Sequence, residues 1–288
     1  MISDLPADDT GRQHDDAPAA AARNWLFTIA YDGTAYTGWQ IQSDGHTVQG
    51  CLQACLSKLF HTEAVTQGCS RTDAGVHALH QAVTFAPPAE PPIPAQDAHR
   101  ALRNMLPPDI RLLATEVMPP EFHARFKALG KCYTYVMYRG ALQSPFVPRY
   151  CWSVPESIDI EAMRTAANAL IGTHDFTTFS ATSTAQSRDP VKTLTCVDVR
   201  ESDRFVLMTV IGNAFLYKMV RRLAGFLCAV GRGALDPAAT TAILHSKERN
   251  SGFDTAPPQG LFLERIFYEE SHMLTHRPEE MPFMSLLR

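Results

Sequence analysis

One order of apolar spacings recurs along this chain and limits what it can fold into. It runs strand, helix, strand, strand, helix, strand. In the first pass Trp25 to Tyr31 reads as a buried strand ended by the turn-forming Asp32-Gly33. Thr47 then caps a helix in which Val48, Cys51, Leu52, Cys55, Leu56, Leu59 and Phe60 recur at helical spacing. Residues 64–69 form a short strand, and residues 79–86 another, with Leu79, Gln81, Val83 and Phe85 on one side. After a proline-rich break from Pro87 to Pro94, Asp97 caps a helix that turns Ala98, Ala101, Leu102 and Met105 inward. Ile110 to Met118 closes the set as a strand.

The second pass begins with Cys132 to Arg139, a strand of alternating aromatics. A helix over 158–171 puts Ile160, Met163, Ala167 and Leu170 on one face and ends at Gly172. Strands at 193–200 and 204–212 meet at a polar turn, and a helix from Ala214 to Val230 buries Phe215, Met219, Leu223, Phe226 and Leu227. A further helix near Ala238 to His245 precedes a last strand, Leu261 to Phe267. The expected class is α+β: two ferredoxin-like β-α-β-β-α-β halves, residues 25–120 and 121–270. Their mainly antiparallel sheets lie side by side with a cleft between them, helices covering one face and the other face open for a large substrate. Residues 1–24, rich in Asp, Ala and Gly, are expected to form a disordered and dispensable acidic tail, and 271–288 a C-terminal tail.

Composition excludes several classes. Hydrophobic content of 45% over 288 residues suffices for a sizeable core. No apolar run approaches the roughly 18 residues of a membrane span, and no signal peptide opens the chain, so a soluble intracellular protein is expected. The seven cysteines include no C-x-x-C pair and read as reduced thiols. His77-x-x-His80 and His272-x-x-x-His276 lack acidic or cysteine companions at zinc spacing, so no metal is expected. The net charge of −4 hides an uneven distribution. Five aspartates against Arg12 in the first twenty residues account for all of it, and residues 99–149 carry eight Lys and Arg against three acids. Such a local basic field suits phosphate binding.

The candidate site is the loop Arg71-Thr72-Asp73-Ala74-Gly75-Val76-His77 between two expected strands. A carboxylate beside glycine at a strand end lets the backbone approach a bulky substrate while presenting a reactive group; an Asx turn explains Asp-x-Gly equally well. The loop resembles the signature of the TruA-type tRNA pseudouridine synthases. Further collinear segments are similar to that family: Tyr31-Asp32-Gly33 with Gly38-Trp39-Gln40, Asn104-x-Leu106-Pro107 with Asp109-Ile110, and Phe122-His123-Ala124-Arg125-Phe126. Lys131-x-Tyr133-x-Tyr135, Gly172-x-His174-Asp175-Phe176 and Met219-Val220-Arg221 continue the series.

This resemblance implies isomerisation of uridine to pseudouridine at positions 38, 39 and/or 40 of the tRNA anticodon stem-loop, without a cofactor, by a cytoplasmic homodimer. The C1′–N1 bond breaks and the uracil rejoins through C5. Asp73 corresponds to the essential carboxylate, acting as nucleophile at C1′, as stabiliser of an oxocarbenium-like centre, or as base at C2′. Arg221 corresponds to the arginine pairing with it, with Arg222 beside it at the surface. Arg71 corresponds to the arginine that enters the RNA helix, and Tyr133 to the tyrosine stacked on the uracil, with Tyr135 on the same strand face. His123 and Arg125 are expected to line the cleft and touch RNA. The Gly130-Lys131-Cys132 run is less basic than the family pattern, which weakens the case for a phosphate contact there, and Gln186-Ser187-Arg188 is family-like without a clear role. Two rivals remain on the sequence: a non-catalytic RNA-binding protein, and a metal-dependent hydrolase using Asp73 with Asp32 or Asp175.

Overall fold

The computed structural model describes residues 23–141, 145, 147–181, 189–249, 252–278 and 281–284. The first half contains β1 (Asn24–Tyr31), α1 (Val48–Phe60), β2 (Thr66–Gly68), β3 (His77–Phe85), α2 (Ala95–Met105) and β4 (Ile110–Met118). The second contains β5 (Gly130–Arg139), β6 (Trp152–Val154), α3 (Ile160–Asn168), β7 (Gly172–Asp175), β8 (Val191–Ser202) and β9 (Phe205–Gly212). It continues with α4 (Met219–Gly231), α5 (Thr240–Ser246), β10 (Leu261–Phe267) and α6 (Glu270–Thr275). Gln186-Ser187-Arg188 and the first 22 residues lie outside the described residues.

Thr47 caps α1 as expected, its Oγ1 accepting the Gly50 amide at 3.2 Å. Asp97 does not cap α2. The helix starts directly behind Pro94, where first-turn amides need no intrahelical acceptor, so Asp97 falls in the first turn and pairs with Arg100. The expected helix from Ala214 begins only at Met219, because Lys218 adopts the left-handed region at φ 57°. Gly172 opens β7 rather than ending a helix, and β6 and β7, at three and four residues, are too short to show a period.

The ten strands join in one sheet of order β4-β1-β3-β10-β5-β9-β8-β7, with β2 on β3 and β6 on β5. Each half has the ferredoxin-like order: β4-β1-β3-β2 in the first and β10-β5-β9-β8 in the second. The halves meet where β10 runs parallel to β3, through Phe262↔His77 and Leu263↔Ala78. At the far end of the same edge β2 occupies β3, pairing Thr66 with Phe85. The seam is therefore hydrogen-bonded at one end and open at the other.

One core joins α1 (Val48, Leu52, Leu56) and α4 (Leu223, Phe226, Leu227) to the sheet through Trp25, Phe27, Tyr133, Tyr135 and Met137. The opposite face was expected to be open and is instead covered. Val136 and Phe262 pack there with Val147, Cys151, Met281 and Met284, and Leu26 and Ala82 pack with Ala124 and Phe122. The reason lies in β9, buried at every position, which must be covered on both sides. The stretch 271–288, expected as a tail, thus supplies two core methionines. No described helix is long and apolar enough to cross a membrane.

Candidate active site

The loop before β3 is braced from several directions. The Trp39 amide donates to Thr72 O at 3.1 Å, the Gly75 amide to Tyr36 O at 3.3 Å, and the Tyr31 hydroxyl shares a 2.9 Å hydrogen bond with Thr72 Oγ1. Burial pushes the Tyr31 hydroxyl far above its usual pKa, so it stays neutral. Gln81, fully buried on β3, receives the Ser70 amide at 3.1 Å and returns a hydrogen bond to Ser70 O at 2.5 Å. Gly38 has φ +102°, and a Cβ there would lie 2.6 Å from Thr72 O. The Tyr31-Asp32-Gly33 and Gly38-Trp39 segments thus hold the loop's backbone rather than line a substrate.

Asp73 meets a cation from the other half of the molecule. Arg221, in the first turn of α4, donates from a terminal nitrogen to Asp73 Oδ2 at 2.8 Å and from Nε to Ala256 O at 2.8 Å. The Ala256 amide donates back to Arg221 O at 3.1 Å. The segment 254–256 reaches α4 because Gly225 lacks a Cβ, which would overlap the Asp254 carbonyl. The pair is part-buried, with 12% of the Arg221 side chain and 23% of the Asp73 side chain exposed. Arg222, expected at the surface, is buried instead. It donates to Thr178 O at 3.1 Å and Arg249 O, and its guanidinium lies 4.9 Å over the Phe253 ring. Consecutive helix residues point about 100° apart, so one arginine reaches the cleft and the next the core.

Asp73, Arg71, Tyr133, Arg221, His123 and Arg125 all line one cleft of about 1000 Å³ at the seam between the halves. Tyr133 shares a 2.6 Å hydrogen bond with Ser70 Oγ, and burial raises its hydroxyl pKa well above the usual value. Tyr135 does not reach the cleft: it is fully buried and donates to Pro257 O at 2.7 Å. Lys131 does, with Nζ donating to Cys69 O at 3.1 Å and Ser70 Oγ at 3.3 Å, and burial lowers its pKa. It ties β5 to the base of the loop. His123 Nδ1 accepts the Arg125 amide at 3.1 Å.

Asp73 is the single carboxylate among the described cleft-lining residues, which include Arg71, Arg125, Lys131, Lys218 and Arg221. Asp32 and Asp175 lie outside the cleft, held by Thr34 and Tyr150 and by Thr177 and Lys247 respectively. A hydrolytic metal site centred on Asp73 therefore lacks the carboxylates proposed for it. Folding does bring an acid and a thiol from distant strands to His276. Its Nε2 lies 2.8 Å from Glu264 Oε1, with Cys132 in the same buried group. Glu264 there also accepts Thr134 Oγ1, and none of the three lines the cleft. Of the eight cations in the basic stretch 99–149, Arg125 and Lys131 line the cleft and the other six do not, Arg100 pairing with Asp97 and Arg139 with Glu201. Phe126, in the Phe122 to Phe126 segment expected at the cleft, also lines it, as do Phe215, Tyr217 and Lys218, which were not singled out as site residues. An aromatic next to Arg or Lys, twice over, was the available signal.

Residues 28–127 and 166–269 match the family model described as tRNA pseudouridine synthase. A tRNA pseudouridine synthase A of Thermoanaerobacter sp. (strain X514) is 39% identical over 246 residues, 85% of this chain and 100% of its own length. That of Ruminiclostridium cellulolyticum is 40% identical, covering 85% of this chain and 100% of its own, and that of Moorella thermoacetica 40%, covering 84% and 98%. A crystal structure of a Cbf5-Nop10-Gar1 complex matches at 14% identity and a TM-score of 0.33 over 86% of this chain and 59% of that one, a likeness too slight to carry an argument. With most of its length matched and its seam lined by the family-like residues, the chain belongs to the tRNA pseudouridine synthase family.

Proposed function

We propose that this enzyme converts uridine to pseudouridine at positions 38, 39 and/or 40 of the tRNA anticodon stem-loop, with Asp73 as the catalytic carboxylate and no cofactor. The observation that carries this is the single carboxylate among the described cleft residues, paired at 2.8 Å with Arg221 amid cations suited to phosphates. The arrangement fits an isomerisation in which the C1′–N1 bond breaks, the uracil turns, and C1′ bonds to C5. The C5 proton is lost and N1 gains one, so no redox partner or co-substrate enters the balance. Asp73 acts on the sugar side. Tyr133 offers a flat ring for the uracil, held by its bond to Ser70. Arg71, exposed at the loop's tip, is the group to displace the uridine from its stack, and His123 and Arg125 contact the RNA backbone. The choice of stem-loop positions, the homodimeric state and a cytoplasmic location rest on the motif resemblance.

The test is to map pseudouridine in tRNA after incubation with purified protein and no added cofactor. Modification confined to positions 38–40 supports the proposal, and modification elsewhere overturns the positional part. Asp73→Asn should bind tRNA within a few-fold of the parent yet form no product. Turnover above roughly a hundredth of the parent would remove Asp73 from its role, since losing a nucleophile or base costs at least that much.

A further inference from the structure

Two aromatic rings stand exposed at the rim of the cleft. Phe126 is 76% and Tyr217 is 50% exposed, and they are the only aromatics among the exposed large hydrophobic side chains of the described residues. Both line the cleft. Each has a cation close by: Arg125 lies 5.9 Å from the Phe126 centroid and Lys218 Nζ 5.1 Å from that of Tyr217.

The backbone holds both rings out. Two residues before Phe126, Ala124 is fixed in the core, its amide donating to Thr84 Oγ1 at 2.7 Å and its carbonyl accepting Tyr268 Oη at 2.9 Å. His123 then turns the chain by accepting the amides of Arg125 at 3.1 Å and Phe126 at 3.4 Å, and its ring lies 4.3 Å from Phe126. Tyr217 is held by the Ala181 amide, which donates to its carbonyl at 3.1 Å, and by the left-handed turn at Lys218. Exposed rings fixed in this way are not core residues left half-covered. A ring with a cation at its side and a basic cleft beyond it has the surface chemistry of a nucleobase platform, where every base has a face to stack.

Resting on the proposed isomerisation, which needs a uridine out of its helix, we propose that Phe126 and Tyr217 stack on unpaired bases adjoining the target, Arg125 and Lys218 neutralising the flanking phosphates. The rings hold the opened RNA and take no part in bond making.

The experiment uses the full chain and a tRNA substrate carrying 2-aminopurine one nucleotide from the modified uridine. Binding of the parent protein should quench its fluorescence, and Phe126→Leu or Tyr217→Leu should relieve the quench. In steady state, Leu at either site should raise KM by about fivefold or more, the stacking loss expected for one base, with kcat within about twofold. Phe126→Trp and Tyr217→Phe should restore both readouts, which packing by bulk alone does not require. Parental KM and quenching in both Leu variants overturn the inference, as does failure of the aromatic replacements to rescue. Absence of product with the parent protein strikes instead at the proposed function.

Discussion

At the residue scale, the central interaction joins side chains 148 positions apart. The guanidinium that meets Asp73 is itself oriented by Ala256 O, so charge and direction are both fixed. Removing it leaves a part-buried carboxylate without its partner. We expect Arg221→Ala to lower kcat at least about a hundredfold while tRNA still binds, because the loss falls on the carboxylate proposed to react. Arg221→Lys keeps the charge without the planar fork, and partial recovery shows that charge dominates. Parental kcat in Arg221→Ala under saturating tRNA would break the proposed link between the pair and catalysis. Gly38 offers a second residue-scale test, at a distance from the chemistry. Ala there meets Thr72 O and a positive φ, a strain of about 1–3 kcal/mol. Gly38→Ala should lower both Tm and kcat, since relief of the clash moves the strand of backbone bearing Asp73. A lowered Tm with unchanged kcat would show that the loop can absorb the shift.

At the element scale, caps and turns decide how helices and strands deliver their residues. Thr47→Ala removes the α1 cap and should cost about 1 kcal/mol of stability by denaturant titration, with kcat little affected. No measurable loss would mean that solvent or a neighbour replaces the hydroxyl. At the end of β7, Asp175 accepts the Thr177 amide at 3.0 Å and pairs with Lys247 at 2.8 Å, tying the strand to the end of α5. Burial pushes its carboxyl up, but the bonds from Lys247 and Thr177 outweigh this and hold its pKa below the ordinary value. A depressed folded pKa stabilises the protein above the unfolded pKa of about 4, and that contribution is lost as pH falls through the folded value. Asp175→Asn retains the turn but not the ion pair. Its Tm should fall short of the parent's at pH 7 by an amount equivalent to less than about 1 kcal/mol, since Lys247 is largely exposed. The gap should close as pH falls through the depressed folded pKa; a gap constant with pH means that the pair contributes nothing.

At the scale of the whole molecule, the two halves share one sheet but only a short parallel seam, and the cleft beside it is lined by β2, the loop before β3, β5 and the start of α4. Its cations come from both halves: Arg71 from the first, Arg125 from the segment joining them, and Lys131, Lys218 and Arg221 from the second. Net charge is −4, so attraction for RNA depends on this local field. Affinity for tRNA should fall steeply with salt, and Arg125→Glu with Lys218→Glu should flatten that dependence. Arg103→Glu, on α2 and away from the cleft, should change the slope much less. A larger effect from Arg103 would place the RNA path over α2.

The strands and helices that repeat a period over many residues were legible: α1 with its Thr47 cap, β4 and β10 lie where their spacing puts them. So was the loop Arg71 to His77, which borders the cleft, because it is contiguous and its residue types are unusual together. Local period says nothing of what covers a sheet's second face, and there Met281, Met284, Phe122 and Ala124 occupy space expected to be open. Nor does it separate neighbours on one helix: Arg221 faces the cleft and Arg222 the core, a difference set by where α4 begins after the left-handed Lys218. Tyr133 and Tyr135 share a strand face and a residue type and are both buried, yet the crossing of residues 257–260 over Tyr135 shuts it off from the cleft that Tyr133 lines. Sequence fixes which local structures the backbone prefers, because those preferences depend on near neighbours. Which side chains meet across the seam depends on contacts hundreds of bonds apart, and only the folded chain brings them within hydrogen-bonding distance.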